Sequence, residues 1–322
     1  MTAGDPSADS AAPRHVWLDG ALVATADARI PVTDRGFQLG DAVFETLRAR
    51  RGAAIELADH LARLRESAAA LEIGLPDDPQ AFGRAISELL AAEGLDRDGA
   101  DGSPPADAAV RITVSRGPLA ARGMLPSTWR TARPTILVQA WPHVPPAPAV
   151  LEEGLRVITS GVRRDPVSPL GAVKSTSRAE HVYGRLQAER EGADEAVFLT
   201  IDGFVAEATS ANVFVIAGAD LATPSRSSGI LAGTTRSWLL GHAAGEGLRP
   251  VERDLRPDDL LQADEAFLSS SVAGIVPVVS VDRRPIGSGR PGPRTGALRE
   301  ARERWIDERS RRDAGTGSQA SG

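Results

Sequence analysis

The residue with the most distinctive potential for chemistry is Lys174, because it is the only lysine in the sequence. The other 36 of the 37 basic residues are arginine, which replaces lysine in most surface and ion-pair roles. Arginine stays protonated near neutral pH and forms no imine with an aldehyde, whereas a lysine amine does. Lys174 is therefore a candidate for covalent amine chemistry. The alternative is a lysine on a solvated face, and the flanking residues must decide between the two.

A spaced set of acidic, amide and hydroxyl residues follows this lysine. It begins with Gly171-Ala-Val-Lys-Ser-Thr-Ser-Arg178, and 33 residues after the lysine comes Glu207-Ala-Thr-Ser-Ala-Asn212. Further on are Leu221-Ala-Thr-Pro224 and Gly229-Ile-Leu-Ala-Gly-Thr-Thr-Arg236. This order resembles the signature of the class IV aminotransferases, the fold-type-IV pyridoxal-phosphate enzymes. Thr234 departs from it, since the family usually has an aliphatic residue there.

Other segments carry the same resemblance, which extends in order over residues 15–300. Asp34-Arg-Gly-Phe-Gln-Leu-Gly-Asp-Ala-Val-Phe-Glu-Thr46 is similar to the family's N-terminal segment, and His60-Leu-Ala-Arg63 to its His-x-x-Arg helix. Asp264-Glu-Ala-Phe-Leu-Ser-Ser-Ser271 is similar to its late strand and turn. The resemblance implies an α+β protein of two domains. The N-terminal α/β domain would be smaller, the C-terminal domain larger and β-rich, and the cofactor would lie between them.

The resemblance also implies a role for each matching residue. Lys174 would hold pyridoxal 5'-phosphate as a Schiff base and then act as general base and acid. Glu207 would pair with the pyridine nitrogen, so that the ring withdraws electrons. Contacts to the cofactor, chiefly to its phosphate, are implied for Arg63, Thr234, Thr235 and Ser271.

Each of these cofactor residues also has a purely structural interpretation. Glu207 could lie on a solvated strand face, and Arg63 could be an exposed arginine of an amphipathic helix. Thr234 and Thr235 could cap the helix that they open, and Ser271 could serve only its turn. For Glu207 and Arg63, the flanking motifs favour the cofactor roles over the structural ones.

The reaction is less constrained than the cofactor. The family includes transaminases of branched-chain or D-amino acids and a lyase that forms p-aminobenzoate from 4-amino-4-deoxychorismate. The Lys174-to-Glu207 spacing looks like that of the lyases. Branched-chain transaminases carry Gly-Gly-Asn-Tyr after the lysine, whereas this chain has Thr-Ser-Arg178. An arginine at that position is similar to the sequence of some lyases.

A loop before the lysine resembles the lyases as well. It reads Ser115-Arg-Gly-Pro-Leu-Ala-Ala-Arg-Gly123, and its Arg116 and Arg122 would bind substrate carboxylates, with Phe37 as a further substrate contact. Solvated loop charges are the alternative for both arginines. The sequence favours aminodeoxychorismate lyase, an enzyme of folate biosynthesis. A transaminase with a 2-keto acid acceptor and an inactive cofactor-binding or scaffold protein remain open.

Composition restricts the partners. A net charge of -6 gives no electrostatic reason to expect nucleic acid or an anionic membrane. No apolar run approaches the roughly 18 residues of a membrane span. The chain has no cysteine, and its five histidines show no metal-ligand spacing, so we expect no metal. These features predict a cytoplasmic protein, and the resemblance implies a small amine or amino-acid substrate with carboxylates and a homodimer.

Periodicity and turn residues predict the elements that position these side chains. We expect helices over Leu57–Leu71, Ala81–Ala92 and Ser177–Glu191 and from Thr234 onward. Phe37–Ala49 is expected to form a single strand, and Phe204–Ile216 the second strand of a hairpin. The predicted organisation is a disordered terminus (1–13), an N-terminal domain (14–140), a Pro-rich linker (141–149), a cofactor-binding domain (150–306) and a frayed tail (307–322).

Overall fold

A computed structural model describes residues 12–99 and 104–317 of the chain, so most of the N-terminus expected to be disordered lies outside it. The described residues form two compact units. The first unit comprises residues 12–99, 104–144, 173–177 and 305–317, and the second comprises residues 145–172 and 178–304. The segment that carries Lys174 therefore belongs to the first unit, although the residues on both sides of it belong to the second.

The first unit is built on an antiparallel sheet. Its strands are β1 (His15–Leu18), β2 (Ala21–Ala24), β3 (Ala42–Arg50), β4 (Ala53–Ala54), β5 (Asp107–Ser115) and β6 (Thr135–Pro142), in the order β2-β1-β6-β5-β3-β4. Its helices are α1 (Arg35–Leu39), α2 (Leu57–Ala70) and α3 (Ala81–Glu93). The bounds of α2 and α3 agree with the predicted ones to within one residue.

One face of this sheet packs on α2 and α3. Leu61 and Leu64 of α2 and Leu89 of α3 are buried against Leu47 and Ile112 of the sheet. This burial follows from the sequence, because apolar residues recur at helical spacing in both helices and at alternate positions in β5. The residues of opposite parity in β3 and β5 lie on the other face of the sheet, which is the face that concerns the site.

The second unit contains the remaining elements. Its strands are β7 (Leu155–Arg164), β8 (Glu195–Thr200), β9 (Val205–Ala208), β10 (Asn212–Ala217), β11 (Asp220–Thr223), β12 (Arg249–Glu252), β13 (Glu265–Ser270), β14 (Gly274–Val281) and β15 (Arg284–Pro285). Its helices are α4 (Pro148–Glu153), α5 (Ala179–Arg190), α6 (Thr234–His242) and α7 (Pro257–Leu261), whereas α8 (Pro293–Gly317) has residues in both units. None of the described helices is long and apolar enough to cross a membrane.

The strands of the second unit form a closed ring. β10 pairs with both β9 and β13, so the order β10-β13-β14-β7-β8-β9 returns to its starting strand. Apolar side chains such as Val157, Val213, Leu268 and Val278 pack together in one buried cluster. Side chains of the opposite parity, including those of the Glu207 and Asn212 pair, are directed to the other face of the strands.

Two predicted strands prove to be composite. Phe37 lies in α1, which Asp34 caps by accepting a hydrogen bond from Gly36 N, and the helix ends at Gly40 with φ 66°. The strand β3 begins only at Ala42, because that left-handed turn reverses the chain first. Likewise Phe204–Ile216 divides into β9 and β10, which fold back on each other at residues 209–211.

The predicted linker and tail are shorter than expected. β6 extends to Pro142 and α4 begins at Pro148, since proline is tolerated at a strand end and at the first turn of a helix. The expectation of a frayed tail from residue 307 was wrong for the described part, which is helical to Gly317. Asp307 is held there by an ion pair of 2.5 Å with Arg51 Nη1.

Candidate active site

The backbone of Lys174 is fixed against the sheet of the first unit. Its N–H donates to Ser67 Oγ at 3.1 Å, and its carbonyl accepts from Phe44 N at 3.0 Å. Two residues on, Thr176 N donates to Ala42 O, so the segment runs beside the start of β3 like an added strand. The side chain of Lys174 is half-buried, and its Nζ lies 4.7 Å from the centroid of the Phe44 ring.

A second cation lies over the same aromatic ring. Arg111 of β5 has its guanidinium carbon 3.9 Å from the Phe44 centroid, and its Nε donates to Thr113 Oγ1 at 3.3 Å. Burial lowers the pKa of this guanidinium, which nonetheless stays protonated. No carboxylate among the described residues forms an ion pair with Arg111. Such an arginine is suited to bind a carboxylate that comes from outside the chain.

Behind the sheet, a buried cluster holds Arg63. Glu45 of β3 is fully buried, and its two oxygens accept from Arg63 Nε and Nη2 at 2.7 Å each. His60 Nδ1 lies 2.7 Å from Glu45 Oε2. Burial opposes the charge on Glu45, but the hydrogen bonds and charges of Arg63 and His60 outweigh it and lower its pKa to about 2. Arg63 is thus buried and paired rather than exposed, and its contact to a phosphate stays a prediction.

In the second unit, Glu207 is a buried acid on β9. Its Oε2 accepts from Leu231 N at 3.0 Å, and Arg164 Nη2 lies 3.4 Å from its Oε1. Asn212, paired with Glu207 across the two strands, donates from Nδ2 to Leu231 O at 2.9 Å. The interpretation of Glu207 as a solvated surface residue is therefore wrong, because its side chain is only 8% exposed.

The start of α6 gathers three of the predicted residues. Thr234 Oγ1 lies 3.0 Å from Ser271 Oγ, and Thr235 is buried. Thr235 Oγ1 has no hydrogen-bond partner among the described residues, which is costly unless a ligand or water supplies one. The cap residue is Gly233, which has no side chain to bond the N–H groups of the first turn. Hydroxyls and backbone N–H groups at a helix N-terminus form a site that favours an anion.

The second unit thus offers groups for both ends of pyridoxal phosphate. The hydroxyls of Thr234, Thr235 and Ser271 suit a phosphate, and the buried carboxylate of Glu207 suits a protonated ring nitrogen. Leu231 connects the two groups, because it bonds to Glu207 and lies three residues before α6. The amine of Lys174 lies in the first unit. The residues therefore fit the cofactor that the sequence predicts.

The three predicted substrate residues have dissimilar surroundings. Arg116 is buried, and its guanidinium donates to both oxygens of Asp41 and to the carbonyls of Leu71 and Glu72. The expectation of a solvated or substrate-facing charge thus finds no support for Arg116. Arg122 is exposed, as the loop interpretation requires. Phe37 is 79% exposed and borders an apolar cavity of about 310 Å³.

Sequence reasoning missed two groups of this site. Arg111 is one arginine among 36 and stands at a polar position of the alternating strand β5, so the sequence does not distinguish it from a solvated charge. Glu45 lies within the segment that resembles the family, yet nothing in its spacing indicates that it pairs with Arg63. Only the packing of α2 on β3 brings these two residues together.

Comparison with known proteins agrees with the family that the sequence resembles. The family model for amino-transferase class IV matches residues 42–281. A protein of Methanocaldococcus jannaschii, provisionally named a branched-chain-amino-acid aminotransferase, is 36% identical over 88% of this chain and 94% of its own length. Aminodeoxychorismate lyase of Bacillus subtilis is 29% identical over 88% and 92%. The crystal structure of the T.th. branched-chain amino acid aminotransferase with pyridoxamine 5'-phosphate covers 95% of this chain and 98% of its own, with TM-score 0.84 and 27% identity.

Proposed function

The chain belongs to the class IV aminotransferases, which are pyridoxal-phosphate enzymes, and we propose that it is an aminotransferase for amino acids, with a 2-keto acid as acceptor. The α+β fold with two units agrees with that of the fold-type-IV enzymes. When bound, the cofactor supplies an aldehyde that reacts with amines and a ring that withdraws electrons. The names of the relatives above support transamination, and so does the arginine beside the lysine.

The observation that carries the proposal is the pair of cations on Phe44. Lys174 Nζ and the Arg111 guanidinium lie 4.7 Å and 3.9 Å from one ring centroid, on one face of the first unit's sheet. Lys174 would move the proton at the substrate carbon, since an amine of this kind acts as general base and acid. Arg111 would hold a substrate carboxylate, because its charge is buried without an ionic partner among the described residues.

The residues of the second unit would bind rather than react. Thr234, Thr235 and Ser271 would hold the phosphate, and Glu207 would keep the ring nitrogen protonated. Arg63, held by Glu45, would add a positive charge for the phosphate. These assignments place proton transfer and substrate binding in the first unit and most of the cofactor contacts in the second.

The experiment is an assay of purified holoenzyme with leucine, valine or D-alanine as donor and 2-oxoglutarate as acceptor. We expect a keto acid and glutamate in equal amounts. Arg111→Gln should raise the KM of the dicarboxylic acceptor by roughly tenfold, since a hydrogen bond to a charged group is lost. If no donor yields glutamate at any acceptor concentration, the aminotransferase proposal is wrong.

The second candidate is the lyase acting on 4-amino-4-deoxychorismate. It is favoured by the spacing of Lys174 to Glu207 and by Arg178, whose Nη2 donates to Thr209 O at 2.6 Å. The arginine loop supports it less, because Arg116 is already bonded to four acceptors. Holoenzyme given aminodeoxychorismate and no keto acid should release pyruvate only if this candidate is correct.

We also keep the homodimer and the cytoplasmic location as predictions. Val32, Phe37 and Met124 of the first unit are large apolar side chains that are 78%, 79% and 76% exposed. A second copy of the chain would cover such a surface. A monomeric mass by light scattering at micromolar concentration, with full activity, would contradict the dimer.

A further inference from the structure

An arginine that plays no part in the roles assigned above lies against the ring-binding acid. Arg164 ends β7, and its Nη2 lies 3.4 Å from Glu207 Oε1 and 3.5 Å from Gly229 O. Its Nη1 lies 3.7 Å from Glu180 Oε2 of α5. The side chain of Arg164 is 13% exposed, so this cation has left most of its water for these three oxygens.

The two carboxylates near Arg164 differ in what they gain from it. Glu180 is 62% exposed and is solvated without help, whereas Glu207 is 8% exposed. A buried carboxylate remains ionised only if nearby positive charge or hydrogen bonds offset the loss of water. For Glu207 these compensating groups include Arg164 at one oxygen and the Leu231 N–H at the other.

The contacts of Arg164 also fix the position of the acid. The same nitrogen that faces Glu207 faces the carbonyl of Gly229, and Leu231, two residues on, donates to the second oxygen of Glu207. Arg164 thus bridges β9 and the turn that leads into α6. Other charged groups nearby are Glu180 and Arg178, the latter bonded to Thr209 O just after β9.

We propose that Arg164 is a positioning residue that keeps the Glu207 carboxylate ionised and in place for the ring nitrogen of the cofactor. The inference rests on the proposed function in one respect, since it takes Glu207 as the partner of that nitrogen. In this role Arg164 needs no contact of its own with cofactor or substrate. It acts through the charge and the orientation of Glu207.

The test measures the Kd of pyridoxal phosphate by quenching of protein fluorescence, from pH 5 to pH 9, in the wild type and in Arg164→Gln. Without the guanidinium, the Glu207 carboxylate should take up a proton at a higher pH, so cofactor binding should weaken more as the pH falls. We expect the ratio of the two Kd values to rise as the pH falls and to be several-fold larger at pH 5 than at pH 9. The midpoint of the absorbance titration of bound cofactor should move in the same direction.

Two variants separate this role from a structural one. Arg164→Lys keeps the charge and should keep the wild-type pH profile. Arg163→Gln is the matched control, because Arg163 is exposed and its Nη1 donates to Ser160 O, away from Glu207. If Arg164→Gln does not fold, Arg164→Met retains the apolar stem and is measured in its place. Kd values that differ from the wild type by the same factor at every pH would overturn the inference.

Glu207→Gln distinguishes failure of the inference from failure of the proposed function. If Glu207→Gln leaves both the Kd and its pH dependence unchanged, Glu207 is not the partner of the ring nitrogen. The role that the proposed function gives to Glu207 is then wrong. If Glu207→Gln changes them while Arg164→Gln does not, only the role of Arg164 is wrong.

Discussion

The two units carry different kinds of candidate groups. In the first unit the Arg63 guanidinium is paired with Glu45, and the backbone of Lys174 is bonded to Phe44 N of β3. In the second, the start of α6 presents hydroxyls, and Thr235 Oγ1 has no partner among the described residues. A charged group that the fold already pairs contributes to stability whether or not a ligand is present. An unsatisfied hydroxyl costs stability until a ligand arrives, so substitutions in the two regions should have opposite effects.

The largest expected effect is that of Lys174→Arg. It keeps the charge over Phe44 but removes the primary amine, so turnover should fall by roughly 10²–10⁴-fold or more. Cofactor should still bind through the groups at α6, without the visible absorbance of an imine. Near-wild-type turnover in this variant would show that proton transfer does not depend on Lys174 of the first unit.

The single lysine also permits a chemical control for that result. A lysine-specific endoprotease should cut the denatured chain once, after Lys174. Holoenzyme reduced with borohydride should resist this cut, because the amine then carries the cofactor ring. Apoenzyme treated in the same way should still be cut. A reduced label at the chain terminus would contradict the assignment of Lys174.

The next effect is on stability. Glu45→Gln leaves the Arg63 guanidinium buried without its counter-charge, which should cost about 3–5 kcal/mol in urea unfolding. Glu66→Gln, on the exposed side of the same helix as Arg63, should change little.

The dependence of stability on acid pH should show the contribution of the same residue, Glu45. The pKa of Glu45 is about 2 in the folded chain, below its ordinary value of 4.5, so its contribution is complete above about pH 4.5 and is lost as the pH falls toward 2. Glu45→Gln should lack this part of the acid transition. Equal acid sensitivity in the two proteins would show that Glu45 is not the group responsible.

The smallest expected effect is that of Thr235→Val, which should not lower the stability of the apoprotein, in contrast to Glu45→Gln. Thr235→Val removes a hydroxyl that has no partner among the described residues, so the urea midpoint of the apoprotein should stay the same or rise. Its Kd for pyridoxal phosphate should increase by roughly 10- to 100-fold, as for a lost hydrogen bond to a charged group. Thr223→Val is the control, since Thr223 Oγ1 donates to Val213 O at 2.8 Å. It should lose about 1 kcal/mol of stability and keep the Kd.

The sequence predicts the parts of this molecule that depend on local spacing. The bounds of α2 and α3 follow from apolar residues at helical intervals, and the hydroxyls of α6 follow from a motif. Phe37 was misplaced because a single helical turn between two short loops has too few residues to establish a period. Thus the local elements were predictable wherever they were long enough to show a repeat.

The charged neighbours were not predictable, because they come together only through tertiary packing. Arg116 looked like a loop charge, yet the fold places Asp41 and two backbone carbonyls around it. Glu45 meets Arg63 through the packing of α2 on β3, and Arg164 meets Glu207 across the pairing of β7 with β8 and of β8 with β9. The spacing of residues along the chain does not predict such tertiary contacts.

The glycine before α6 has a consequence for how this chain can change over generations. A Cβ at Gly233 would collide with Asn212 Oδ1, and Asn212 also donates to the carbonyl of Leu231, whose N–H holds Glu207. A methyl group added at position 233 would therefore displace Asn212, and the two hydrogen bonds of Leu231 would pass this displacement on to Glu207. We therefore expect positions 233 and 212 to be epistatic, with a larger residue at 233 better tolerated when a smaller one occupies 212.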